Sequence, residues 1–132
     1  MDIGQFNFKD AEPHRVELTN PANEETLRGE DGQAVWIMVH GADSNVFRAA
    51  MRSYGNKKLQ KASKKQTVEE LEQVSCKVLA AATTGWSNNF TVSGQMLEFS
   101  QQNAEWLYTE FQWIREQVDT FVNDRSNFLP SA

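Results

Sequence analysis

Residues 33–50 read Gln33-Ala34-Val35-Trp36-Ile37-Met38-Val39-His40-Gly41-Ala42-Asp43-Ser44-Asn45-Val46-Phe47-Arg48-Ala49-Ala50, and the hydrophobic period changes inside them. From Ala34 to Val39 the chain is continuously apolar, which reads as a short strand covered on both faces. From Ala42 the period is 3.6: Asp43 or Ser44 supplies an N-cap, and Phe47, Ala50, Met51 and Tyr54 fall on one helical face. A strand leading directly into a helix sets an α+β class rather than an all-β or all-α one.

Working outward toward the N-terminus, Phe6 and Phe8, then Val16 and Leu18, alternate with polar neighbours as half-buried strands do. Asn20-Pro21 breaks that pattern, and Gly29-Glu30-Asp31-Gly32 supplies a turn. Toward the C-terminus, Gly55 weakens the first helix. Thr67-Val68-Glu69-Glu70 opens a second with a capping-box pattern. Leu71, Val74, Val78, Leu79 and Ala82 form its apolar stripe, and Gly85 stands where a left-handed C-terminal residue belongs. Short strand-like pieces follow around Ser93-Gly94-Gln95. Ser100 then caps a third helix with Ala104, Leu107 and Phe111, and Ile114, Val118, Phe121 and Val122 continue it or form a fourth. The periodicity leaves open whether the chain bends at Phe111-Gln112-Trp113; Pro130 closes the last helix. The expected fold is α+β and mostly helical. A small N-terminal antiparallel β-sheet or hairpin (1–41) precedes three to four α-helices (42–129), in a single domain over 1–132.

The 132 residues are 39% hydrophobic and 23% charged, with fourteen aromatics, enough for a core without disulfide or metal staples. No apolar run approaches the ~20 residues of a membrane span. Met1-Asp2-Ile3-Gly4-Gln5 lacks the basic and apolar regions of a signal peptide. One cysteine makes no internal disulfide, in keeping with a reducing compartment.

The formal charge of −5 is unevenly spread. Residues 1–66 hold ten Lys/Arg against nine Asp/Glu, whereas residues 67–132 hold three against nine. Arg48, Arg52, Lys57, Lys58, Lys61, Lys64 and Lys65 form a basic stretch free of acids. It is a candidate charged surface for an acidic protein or nucleic acid. A solvated helix face or a flexible connection explains it more simply, and the acidic total and lack of any nucleic-acid-binding motif disfavour nucleic acid.

Chemistry-bearing patterns are scarce. There is no phosphate loop, nucleophile elbow or His-Glu-x-x-His. Gly29–Gly32 lacks the alternating oxygen ligands of a calcium loop. His14 and His40 have no second ligand nearby, and Cys76 sits mid-helix as a small hydrophobe would. Glu69, Glu70 and Glu72 suit a helix N-terminus. The expectation is a non-catalytic chain with no cofactor and no metal. The aromatics of the last third are denser than one helical face accommodates: after Trp86 come Phe90, Phe99, Trp106, Tyr108, Phe111, Trp113, Phe121 and Phe128. With Leu107, Phe111, Ile114, Val118 and Phe121 turned inward, Trp106, Tyr108 and Trp113 lie toward the flanks. Trp106, Tyr108, Phe111 and Trp113 are therefore the candidate partner-binding residues, with completion of the core as the competing account.

The segment Trp36–Ala50, in which a hydrophobic strand ends in Gly41-Ala42-Asp43-Ser44 and enters a helix with Phe47-Arg48, resembles the front of a small phage protein family. Leu79-Ala80-Ala81-Ala82-Thr83-Thr84-Gly85-Trp86, Leu97-Glu98-Phe99-Ser100-Gln101-Gln102-Asn103-Ala104 and Ile114-Arg115-Glu116-Gln117-Val118 agree with it in order and spacing. Over residues 33–129 the chain resembles tail assembly chaperones of long-tailed bacteriophages or prophages. The resemblance implies a non-catalytic protein of the bacterial host cytoplasm that binds the tape measure protein and helps recruit major tail protein. It also implies a short form of a frameshifted product. It carries no catalytic or binding residues across. Pairing of the acidic C-terminal half with the basic stretch of another copy would suit a homo-oligomer. A head–tail connector or tail-completion protein is the alternative, and a small nucleic-acid-binding regulator a further one.

Overall fold

The computed structural model describes residues 1–55 and 67–129. Strand β1 (His14–Glu17) pairs antiparallel with β2 (Trp36–Val39), from His14↔Val39 to Glu17↔Trp36. Alternation then puts Val16, Ile37 and Val39 on one face, all buried, and Arg15 and Met38 on the other. The apolar run is thus fully covered on one face only. Across the sheet Trp36 and Met38 are half-buried, and the Arg15 guanidinium lies 4.1 Å from the Trp36 ring centroid.

The sheet expected from residues 1–41 gains a third strand from far along the chain. Strand β3 (Thr83–Trp86) pairs antiparallel with β2 in the order β1-β2-β3, and the register shifts between Met38 and Val39. It follows helix α2 (Val68–Ala82) with no loop between them. Gly85 is consequently a strand residue rather than a helix cap. β-Branched Thr83 and Thr84 favour the extended backbone that β2 can pair. The Thr83 hydroxyl donates to the Leu79 carbonyl at 2.7 Å, taking the place of a glycine cap. Thr67 caps the start of α2 as expected, its hydroxyl accepting from the Glu70 amide at 3.2 Å. Leu71, placed on the apolar stripe by spacing, is 51% exposed, and continuous burial begins further along the helix.

Helix α1 (Asn45–Ala50) starts at Ser44, whose hydroxyl accepts from the Phe47 amide and donates to the Gly41 carbonyl. A π-helical turn, Met51–Gly55, follows. Of the face expected from spacing, Phe47 and Ala50 are buried and Tyr54 packs against the core, while Met51 is 50% exposed. Gly41 lacks a side chain for cause: a Cβ there would lie 2.8 Å from the buried Phe128 ring.

Trp86 leads into a hairpin of β4 (Thr91–Val92) and β5 (Gln95–Met96), turned by Ser93 and Gly94, both at positive φ. Ser100 caps α3 (Gln101–Glu110), and α4 (Gln112–Val122) follows. The bend left open by periodicity is present: Phe111 has φ −118 and ψ 82, and its carbonyl accepts from Ile114 and Arg115 to start α4. Helices α2, α3 and α4 cover the inner sheet face with Leu79, Ala104, Leu107, Ile114 and Val118. The architecture is α+β and mostly helical.

One strand expectation fails. Phe6 closes a 3₁₀ turn (Ile3–Phe6) instead of alternating in a strand. The Asp2 carboxylate accepts from the Gly4 amide and the Asn7 side chain from the Lys9 amide. These local bonds give the backbone an alternative to a ladder. Phe8 packs against the core, and Phe6 stays exposed.

Candidate partner-binding face

The four aromatic candidates separate into a core residue and a surface group. Tyr108 has no exposed area, which corrects its expected place on a flank. One helical position from Leu107, it turns toward β3, where its hydroxyl meets the Thr83 hydroxyl at 2.7 Å. Burial pushes its phenol well above the usual range, so it stays protonated. Trp106 is 41% exposed and meets Phe111 edge-on, with ring centroids 5.9 Å apart. Phe111, at the α3–α4 bend, and Trp113, in the first turn after it, are half-buried. Trp106 thus packs on Phe111, and Phe111 and Trp113 line one cleft together, which Trp106 itself does not reach.

Two clefts open beside Trp113, which lines both. One, about 390 Å³, is walled by Leu18, Leu27, Val35, Phe90, Leu107 and Phe111, with Arg28 also lining it. The other, about 480 Å³, is bordered by Val16, Pro21 and Phe121, and by the carboxylates of Glu17, Glu116 and Asp124. Among the described residues its lining contains no lysine or arginine, and none of these three acids is ion-paired. Asp124 accepts from the Ser126 amide and hydroxyl at 3.0 and 2.6 Å, which holds its carboxyl below the ordinary range.

Gln117 fixes the wall of the second cleft. Its carboxamide accepts from the Thr19 amide and donates to the Thr19 carbonyl, each at 2.9 Å, tying α4 to the segment after β1.

No family model, curated protein or solved structure matches this chain.

The face rests on its own geometry: half-buried aromatics, an apolar recess and an acidic one. Such features suit binding, since aromatic rings bury much area at little entropic cost. Of the basic surface, Arg48 and Arg52 are exposed on α1 and the turn after it. Lys57, Lys58, Lys61, Lys64 and Lys65 lie outside the described residues. Neither described arginine lines the two clefts. Leu18, Leu27, Val35 and Gln117 were not singled out for the face by the sequence. Their periodicity marks them as core or helix surface, and only the tertiary fold joins them to Trp113.

Cys76 is buried and accepts from Arg115 Nη1 at 3.3 Å, while Arg115 also donates to the Tyr108 carbonyl and lies 4.0 Å from Glu72. Gly29–Gly32 forms a turn with Gly32 at positive φ. Among the described residues no three His, Cys, Asp or Glu side chains group to hold a metal. No helix there is long and apolar enough to cross a membrane.

His14 packs edge-on against Phe128. His40 has its Nδ1 buried without a hydrogen-bond partner, and burial holds its imidazole below the ordinary value of 6.5, opposed in part by Glu12. The folded state therefore binds this proton less readily than the unfolded chain does. Stability present above pH 6.5 is lost as pH falls below that value, and the loss levels off once the folded imidazole is protonated. Urea midpoints measured between pH 7.5 and 5.5, the range in which histidines titrate, should fall for the native chain and stay flatter for His40→Asn. Equal slopes would assign the pH dependence to other groups.

Proposed function

We propose that this chain is a tail assembly chaperone of a long-tailed bacteriophage or prophage. In this reading it binds the tape measure protein, keeps that long apolar helical chain soluble in the host cytoplasm, and assists addition of major tail protein without catalysis. The observation that carries the reading is the Trp106–Phe111–Trp113 face with its two clefts. An apolar recess bordered by charge is what a client with an apolar helical stripe requires. The resemblance of Trp36–Ala50, Leu79–Trp86, Leu97–Ala104 and Ile114–Val118 to that family supplies the identity of the client.

Co-expression with the candidate tape measure protein tests it. The client should move from the pellet to the soluble fraction and co-purify with the chain, and purified particles should lack the chain. Trp106→Ser with Phe111→Ser should reduce co-purification at least about tenfold, the scale of one or two interface hot spots. A client equally soluble alone would overturn the reading, and a fixed copy number in particles would point to a connector instead.

A further inference from the structure

We infer that the two clefts beside Trp113 receive a single client segment that is amphipathic and basic. Its apolar side chain enters the recess next to Phe111, and a lysine or arginine lies over the acidic recess. The inference rests on reading this face as partner-binding and adds the chemistry of the partner. Because Trp113 lines both recesses, their occupants are neighbours across one ring. The first recess, about 390 Å³ and walled by Leu27, Val35, Phe90 and Phe111, is in the size range that holds a bulky apolar group. The second presents Glu17, Glu116 and Asp124 with no basic residue among the described residues of its lining, so it attracts a cation and repels an acidic segment. An indole face adds to the attraction for a cation. The Gln117–Thr19 bonds and the burial of Ile114 hold the walls in place before binding, which lowers the ordering cost of association.

The probes are two designed helical peptides of about 18 residues, or five turns, sharing one leucine stripe. One is flanked by lysines and the other by glutamates. Calorimetric titration at low salt should show the lysine peptide binding about tenfold tighter, a preference that shrinks at about 0.5 M salt. The double variant Glu17→Lys/Glu116→Lys alters only exposed side chains and should reverse the preference; Trp113→Ala should weaken both peptides. Equal binding of the two peptides, or a preference indifferent to the charge reversal, overturns the inference. So does salt-sensitive self-association without peptide binding, which would make a second copy the occupant. A chain that solubilises the tape measure protein yet ignores peptide charge loses this inference and keeps its proposed function. Charge-selective peptide binding without client solubilisation does the reverse.

Discussion

Tyr108→Ala should destabilise the protein by about 3–5 kcal/mol, the usual cost of emptying a large aromatic site in a core. Trp106→Ala, two residues earlier, should cost under about 1 kcal/mol, as surface substitutions do. Tyr108 has no exposed area, and its hydroxyl pairs with Thr83, so truncation leaves a cavity between α3 and β3 and removes one partner of a buried hydroxyl pair. Tyr108→Phe separates these contributions. It keeps the ring, and Thr83 still donates to the Leu79 carbonyl, so the loss should be about 1 kcal/mol. Urea unfolding of the three variants checks the ordering. If Tyr108→Ala abolished client binding without moving the unfolding midpoint, the ring would belong to the partner face after all.

The contrast shows where periodicity reaches its limit. Periodicity sets residues 106 and 108 both toward the flanks because a single inward line through Leu107, Phe111 and Ile114 accounts for only one face of a helix. Helix α3 is covered by α2 along one side and approached by β3 along another, which widens the buried arc to include Tyr108. Helix starts at Ser44, Thr67 and Ser100 were legible because the cap is a local bond within three residues. Around Ser93-Gly94 the sequence shows short strand-like pieces, and the structure pairs them as a hairpin. The strand identity of Gly85 is not legible locally because the decisive partner, β2, lies more than forty residues away. For the candidate site, the aromatic concentration was visible. The acidic recess was not, because Glu17, Glu116 and Asp124 are brought together only by the fold.

Gln117→Ala should cost about 2–3 kcal/mol, more than an ordinary surface substitution. It strands both the amide and the carbonyl of Thr19 in a part-buried position. The Thr19 amide should lose its protection from hydrogen exchange, and the segment leading to Thr26 should exchange faster with it. Gln117→Glu keeps an acceptor for the amide but sets a carboxylate oxygen against the carbonyl, so its cost should be intermediate. Hydrogen exchange at Thr19 together with urea unfolding checks both variants. Unchanged protection at Thr19 would mean that the strand bonds alone hold the segment. Because Gln117 also borders the acidic recess, Gln117→Ala should weaken partner binding even where the protein remains folded.

The direct passage from α2 into β3 has a consequence for how the chain is born. Trp36 finds its bonding partner Ser87 51 residues later, so β2 leaves the ribosome long before its neighbour exists. At roughly 5–20 residues per second that interval lasts several seconds. During it the most apolar strand of the protein has at most β1 beside it and its other edge open, an arrangement prone to pair with another nascent chain. Helix α2 shortens the search at its end: Thr83–Trp86 follow its last residue, Ala82, directly, so the helix delivers the strand as it docks. Newly made chains are therefore most at risk of aggregation before residue 86 emerges, and slower translation through residues 40–86 would prolong that exposure.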